Sequence, residues 1–166
     1  MNIFILDTDI TRSAQYTLDK HCVKMILEQS QMLCTALQIN PQLFEMIQPI
    51  EIPYKKSHIH HPSTKWVSAN YDNFAWLVAY TEALHQEYQY RYSKQHLSYT
   101  KLKLNRIITA STVTYGRDLS IITLNPPQVV PDSCKTHSII ESYRNYYKHH
   151  KAHIFSWTKR KPPSWI

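Results

Sequence analysis

The chain has 166 residues, 43% of them apolar, with a formal net charge of +7, ten histidines and a pI near 9.3. That length and apolar share exclude a disordered chain and fit one domain, residues 1–166, with a buried core, while the charge points to a polyanionic partner, nucleic acid or nucleotide. The single glycine, Gly116, excludes the glycine-rich loops of P-loop and dinucleotide folds, and three scattered cysteines form neither a disulfide framework nor a CxxC zinc motif, which fits a reducing, cytoplasmic compartment.

Met1 to Leu6 reads as a short strand or extended lead-in. Its apolar run Ile3-Phe4-Ile5-Leu6 is halted by Asp7 and Asp9, too short for a signal peptide or a membrane span, and no other stretch approaches membrane length. Asp7, Thr8, Asp9 and Thr11 offer cap oxygens for a helix from about Arg12 to Gln38, which Asn40-Pro41 should end. Three- and four-residue steps put Leu18, Cys22, Met25, Ile26, Leu33, Ala36 and Leu37 on its core face. The same steps align His21, Lys24, Glu28 and Gln31 on the other side, with Asp19 and Lys20 at the start of the motif. An acid, a base and cations on one strip suit acid/base catalysis; a solvated, salt-bridged face has the same pattern.

Gln42 to Tyr54, punctuated by Pro49 and Pro53, should hold a helical turn and a loop. A basic loop follows, with His58, His60 and His61 before Pro62-Ser63, and we expect His61 beside a helix N-terminus rather than a metal site. The second long helix spans about Thr64 to Lys94 and is apolar over most of its girth. Asn70, Asn73, Glu87 and Arg91 lie on its face with Trp66 and Leu84, where a buried polar group must find a partner or cost a few kcal/mol. Glu87 and Arg91, four apart, can pair; the asparagines have no partner within the helix. Lys94 and His96 open a basic segment with a third helix from about Ser98 to Ile108, supported by Leu97, Leu102, Leu104, Ile107 and Ile108. Thr109 to Asp132 reads as a long irregular loop with a short strand or turn near Ile121 to Leu124. Asp132 and Ser133 cap a last helix, about Cys134 to Ser156. Its Arg144, Lys148 and Lys151, with Lys159 and Arg160 in the tail, interleave with aromatics as phosphate contacts and stacking surfaces do. The fold expected is mainly α: a compact helical bundle with two long helices, a short extended N-terminus and a long irregular loop before the last helix.

The motifs MNIFxLDxD, DKHxxKMxxExxQ, HPS, EYxxRYxKxH and a terminal Trp resemble a group of small phage and bacterial proteins over nearly the whole chain. More remotely, Tyr54-Lys55, His61-Pro62 and Glu87 followed by Arg91 are similar to motifs of the pyrimidine-dimer DNA glycosylase superfamily, small helical proteins with a basic, aromatic-rich C-terminus. That resemblance implies DNA, rather than RNA, as partner. It also implies an N-terminal α-amine that attacks the sugar C1′, assisted by a first-helix glutamate. Position 2 here is Asn, whose bulk disfavours removal of the initiator methionine, and the helical acid matches either His21 or Glu28.

The reading that follows is an enzyme that cleaves or exchanges a glycosidic bond, or otherwise modifies a base, without cofactor or metal. His21 or Glu28 would be the acid/base. Lys24 and Arg91 would hold phosphate, and Asp19, Lys20, Gln31, His61, Trp66, Asn70, Asn73, Glu87, Lys94 and His96 would line the substrate site. The alternatives are a non-enzymatic nucleic-acid or nucleotide binder, such as a phage-related regulator, and a metal-dependent hydrolase using Asp7, Asp9, His21 and the His58 to His61 loop.

Overall fold

In the computed structural model, which describes residues 1–47, 50–103, 107 and 121–166, the chain is mainly helical, with no strand among the described residues. In order come α1 (Ile10–Tyr16), α2 (Asp19–Ile39), α3 (Pro41–Ile47), α4 (Pro62–Ala69), α5 (Tyr71–Tyr92), α6 (Leu97–Leu102), α7 (Ile121–Leu124) and α8 (Ile139–His150). Short 3₁₀ turns cover Asp132–Cys134 and Ala152–Ile154. Helix α2 packs on α3, α4, α5 and α6, and α5 on α1, α2, α4 and α7. The α2 core face expected from periodicity is buried throughout, from Leu18 and Cys22 to Leu37.

Both long helices are broken where the sequence reads as continuous. At the first break the carbonyl of Gln15 accepts from Arg91 Nη2 and that of Tyr16 from Trp157 Nε1, both at 2.9 Å. The Asp19 N–H, which a continuous helix would give to Gln15, goes instead to the Ser156 carbonyl at 2.9 Å. Tertiary donors have displaced the helical ladder, and Thr17 and Leu18 turn extended. At the second break Asn70 is extended, and its side chain caps α5 by accepting from Asn73 N–H at 2.9 Å. Asn73 Nδ2 in turn closes α4 by donating to the Trp66 carbonyl at 2.8 Å.

The last helix starts later than expected. Ser138 caps it, and Thr136 N–H donates to Ser142 Oγ at 2.8 Å, so residues after Cys134 are held as a turn. Residues Ile121–Leu124 form one turn of helix rather than a strand. Lys103, in the left-handed region at φ 50°, stops α6 well before Ile108. Ile107 is fully buried, while Leu104, Arg106, Ile108, Gly116 and the rest of the expected loop up to residue 120 lie outside the described residues.

The N-terminal segment is extended but unpaired by any strand. Ile3, Phe4, Ile5 and Leu6 are buried at 5% exposure or less, so their backbone polar groups require internal partners. Side chains supply them: Leu6 N–H donates to Ser13 Oγ, Arg144 Nε to the Leu6 carbonyl, and the Tyr80 hydroxyl to the Phe4 carbonyl.

Candidate active site

The polar row of α2 is not open along its length, because the first four residues of the chain lie along it. Phe4 stacks on His21 with ring centroids 4.1 Å apart. Two residues earlier, the Asn2 N–H donates to Glu28 Oε2 at 3.2 Å, and the Met1 amine is 3.8 Å from the same oxygen. An extended tripeptide spans about 10 Å and seven helical residues rise about 10 Å, so the segment tracks the row from Glu28 back to His21. Lys24, between them, is 67% exposed, and its Nζ is 3.2 Å from Glu28 Oε1. Glu28 itself is only 14% exposed. One carboxylate therefore meets an amine on one oxygen and a lysine on the other.

Asn2 fixes this register. Its Oδ1 accepts from its neighbour Ile3 N–H and from the Tyr143 hydroxyl, each at 2.8 Å, and its Nδ2 donates to the Val129 carbonyl at 2.8 Å. The Thr64 hydroxyl, in the first turn of α4, approaches Met1 Sδ at 3.9 Å. His61 caps α4 by accepting from Ser63 N–H at 3.2 Å. Burial lowers its pKa; the Met1 amine and His58 add to the lowering and Glu28 opposes it, so all of these groups share one neighbourhood. An open groove of about 550 Å³, lined by Pro62, Gln128, Val129 and Lys135 among others, borders the same corner.

His21 does not act as an open base. It is 7% exposed, its Nδ1 lies 2.9 Å from the Tyr147 hydroxyl, and burial, reinforced by Lys151 and Lys24, pulls its pKa down to about 3. It is neutral at neutral pH and built into an aromatic stack.

The residues expected to face the row from α5 are elsewhere. Arg91 and Glu87 are 2% and 4% exposed. Arg91 donates from Nε to Glu87 at 2.7 Å and from Nη1 to Asp19 at 2.9 Å, and Arg160 grips Glu87 through Nε and Nη2 at 3.0 and 2.8 Å. Asp19 also accepts from the Ser156 hydroxyl at 2.7 Å and from Thr158 N–H at 3.0 Å. Burial opposes its ionisation, but these hydrogen bonds outweigh it and bring its pKa down to about 2. This cluster ties the tail to the start of α2 and the end of α5. Asn70 and Asn73 are the caps described above, not site-lining groups. Trp66 is also committed, with its Nε1 donating to the Leu124 carbonyl at 2.9 Å and its ring edge-on to Trp76.

The basic residues divide in the same way. Arg144 is spent on the Leu6 carbonyl, with Asp7 at 3.4 Å and Glu141 at 3.2 Å. Arg160 is in the tail clamp, and Lys159 Nζ donates to the Tyr90 carbonyl at 2.9 Å. Lys20, Lys94 and Lys148 are exposed, Gln31 and Lys151 are half-buried, and Lys151 lies 4.9 Å over the Tyr146 ring. The metal-hydrolase alternative loses its ligand set: Asp7 is engaged with Arg144, His21 is in its stack, and among the described residues no three His, Cys, Asp or Glu side chains are grouped to hold a metal.

The sequence reading did not assign Met1, Asn2, Tyr143 or Val129 to this corner. The signal for the first two was the resemblance, which implies an α-amine at the start of the chain near a first-helix glutamate; Tyr143 and Val129 carry none, since both come from distant parts of the chain.

No curated protein and no solved structure matches the chain. The family model for pyrimidine dimer DNA glycosylases matches residues 1–100, a span that holds the amine, Asn2, Lys24, Glu28 and His61. The chain belongs to the pyrimidine dimer DNA glycosylase family.

Proposed function

We propose that the protein is a DNA glycosylase that works through an amine at the start of its chain, with Glu28 as the acid/base group. The observation that carries this reading is the contact of Glu28 Oε2 with two successive backbone nitrogens, at 3.2 Å from Asn2 and 3.8 Å from the Met1 amine. With Met1 retained its amine is the nucleophile; with Met1 removed the Asn2 nitrogen becomes the amine and is already on Glu28. Either way the bulk of Asn2 does not disable the site.

In the reaction the neutral amine's lone pair bonds to the sugar C1′ as the C1′–N bond to the base breaks, and the base leaves with that electron pair and picks up a proton. The attached nitrogen sheds one proton to Glu28; its remaining lone pair then forms the C=N bond as C1′–O4′ breaks, O4′ takes that bond's electron pair and the proton from Glu28, and a protonated imine joins protein to DNA. Lys24 orients the carboxylate and, being two-thirds exposed, offers its charge to a backbone phosphate. A base inside a duplex is out of reach of a group set against a helix, so the target nucleotide must leave the stack.

The test uses a DNA duplex carrying a pyrimidine dimer. Borohydride should trap a covalent adduct, and mass mapping should locate it on the nitrogen of Met1 or Asn2. Glu28→Gln should fold normally and lower base release about 10²- to 10⁴-fold. Base release without a trappable adduct would overturn the amine mechanism, and full activity of Glu28→Gln would remove Glu28 from it.

A further inference from the structure

On another side of α2 an apolar strip faces solvent. Val23 is 40% and Leu27 37% exposed, and Leu97, expected as apolar support and found instead on the outer side of α6, which packs against α2, is 64% exposed. A single exposed leucine needs no explanation. This one is held in place by buried polar groups. His96, just before it, accepts from Ser98 N–H through Nδ1 at 3.2 Å, and its ring is hydrogen-bonded to the Val23 backbone. The His96 N–H donates to His85 Nε2 at 3.4 Å, and His85, 2% exposed, stacks on Tyr99 at 3.6 Å with the planes 5° apart. Ser93, at φ 55°, ends α5 so that the chain can turn into this segment. His96, His85 and Tyr99 thus fix a leucine that points to water.

Its surroundings are cationic. Lys101 is four residues on and so on the same face of α6, Lys94 precedes it, and Lys20 and Lys24 flank Val23 on α2; all four are exposed. An apolar centre rimmed by lysines matches a nucleic-acid duplex opened at one step, with bases in the middle and phosphates to either side. Val23 and Glu28 are five residues apart on α2, about 7 Å along its axis. The strip thus shares α2 with the proposed site and lies on a neighbouring side of the helix.

We propose that Leu97, supported by Val23 and Leu27, is a wedge that enters the base stack of duplex DNA and holds open the step from which the target nucleotide has left. The inference rests on the reading of the protein as a DNA-acting enzyme, and its test is independent of catalysis. The probe is a duplex with a tetrahydrofuran abasic analogue and a neighbouring 2-aminopurine, whose fluorescence rises when it is unstacked. Wild-type protein should raise the signal, Leu97→Ala should lose most of that rise at saturating protein, and Ile39→Ala, an exposed apolar residue at the far end of α2, should keep it. A rise that is the same in wild type and Leu97→Ala, or no rise with wild type, overturns the wedge. So does a wild-type dimer in sedimentation that Leu97→Ala dissolves, since the strip would then serve a second copy of the chain. Absent base release with an intact fluorescence rise would instead overturn the glycosylase chemistry and leave the wedge standing.

Discussion

Helix α2 carries a carboxylate at each of two places about 13 Å apart along its axis, and their surroundings differ in one respect. Asp19 accepts from Arg91, Ser156 and Thr158, while its neighbour Glu87 is held by two arginines. Both oxygens of each carboxylate have a protein partner at 3.0 Å or less, the arginine is buried, and the cluster closes the tail onto the helices. Glu28 has longer contacts, to Asn2 N–H at 3.2 Å, the Met1 amine at 3.8 Å and the exposed Lys24 at 3.2 Å, beside an open groove. A tight, buried ionic cluster leaves nothing for a substrate to exchange with and acts as a clamp; a carboxylate held by longer contacts to an amine and an exposed lysine can move a proton. Both began as acid and base residues of similar pattern in the sequence, and the tightness and burial of their contacts separate them.

The comparison breaks most severely at the clamp. Arg91→Ala leaves the nearly buried Glu87 with only Arg160 and strips Asp19 of its cation, so we expect a stability loss of about 3–5 kcal/mol, read from urea unfolding. A loss within about 1 kcal/mol would show that the cluster is not saturated in solution.

The aromatic stack between the two ends is tested by pH. The His21 pKa is about 3 in the folded chain against an ordinary 6.5, so between those values the unfolded chain holds a proton that the folded chain does not. Stability therefore falls as pH drops from 6.5 towards 3, by about 2 kcal/mol from His21 alone at pH 5. Asp19 acts lower: its folded pKa of about 2 lies under the ordinary 3.8, so its contribution is complete above 3.8 and is lost as pH falls through 2. Burial shifts His61, His85 and His96 downward too. The difference between wild type and His21→Phe isolates the first effect. The variant should lose less stability from pH 7 to pH 5, and equal slopes would place His21 outside the stack.

At the proposed catalytic corner, Tyr143→Phe removes the hydroxyl that donates to Asn2 Oδ1. We expect about 1 kcal/mol of lost stability and a lower rate of base release at saturating DNA, with Asn2→Asp or Asn2→Ala lowering the same rate. A variant with altered DNA affinity but unchanged saturated rate would mean that Asn2 anchors the segment without aligning the amine.

The smallest effect sharpens the division among cations. Lys148→Ala should weaken binding to all DNA sequences alike and reduce the salt slope of log K by about 1. Arg160→Ala should act mainly on stability, because its guanidinium is already committed to Glu87.

Much of the helical framework is legible in the residues. The α2 core face follows its three- and four-residue steps, and Glu87 and Arg91, four apart, do pair. Both helix breaks were missed because they depend on partners that local pattern does not reveal: Arg91 and Trp157 at Gln15 and Tyr16, and reciprocal caps from Asn70 and Asn73. Asparagine inside an apolar helix reads equally well as a site residue or as a cap, and here it is a cap.

By itself the sequence determined which faces are apolar, that the fold is helical, and that His21, Lys24 and Glu28 share a row, since periodicity is a property of neighbours along the chain. The tertiary structure alone decided which of them is open. An extended segment of four residues, held at Asn2 by Tyr143 and Val129, covers His21 with Phe4 and sets an amine on Glu28, and contacts across more than a hundred residues leave no local trace.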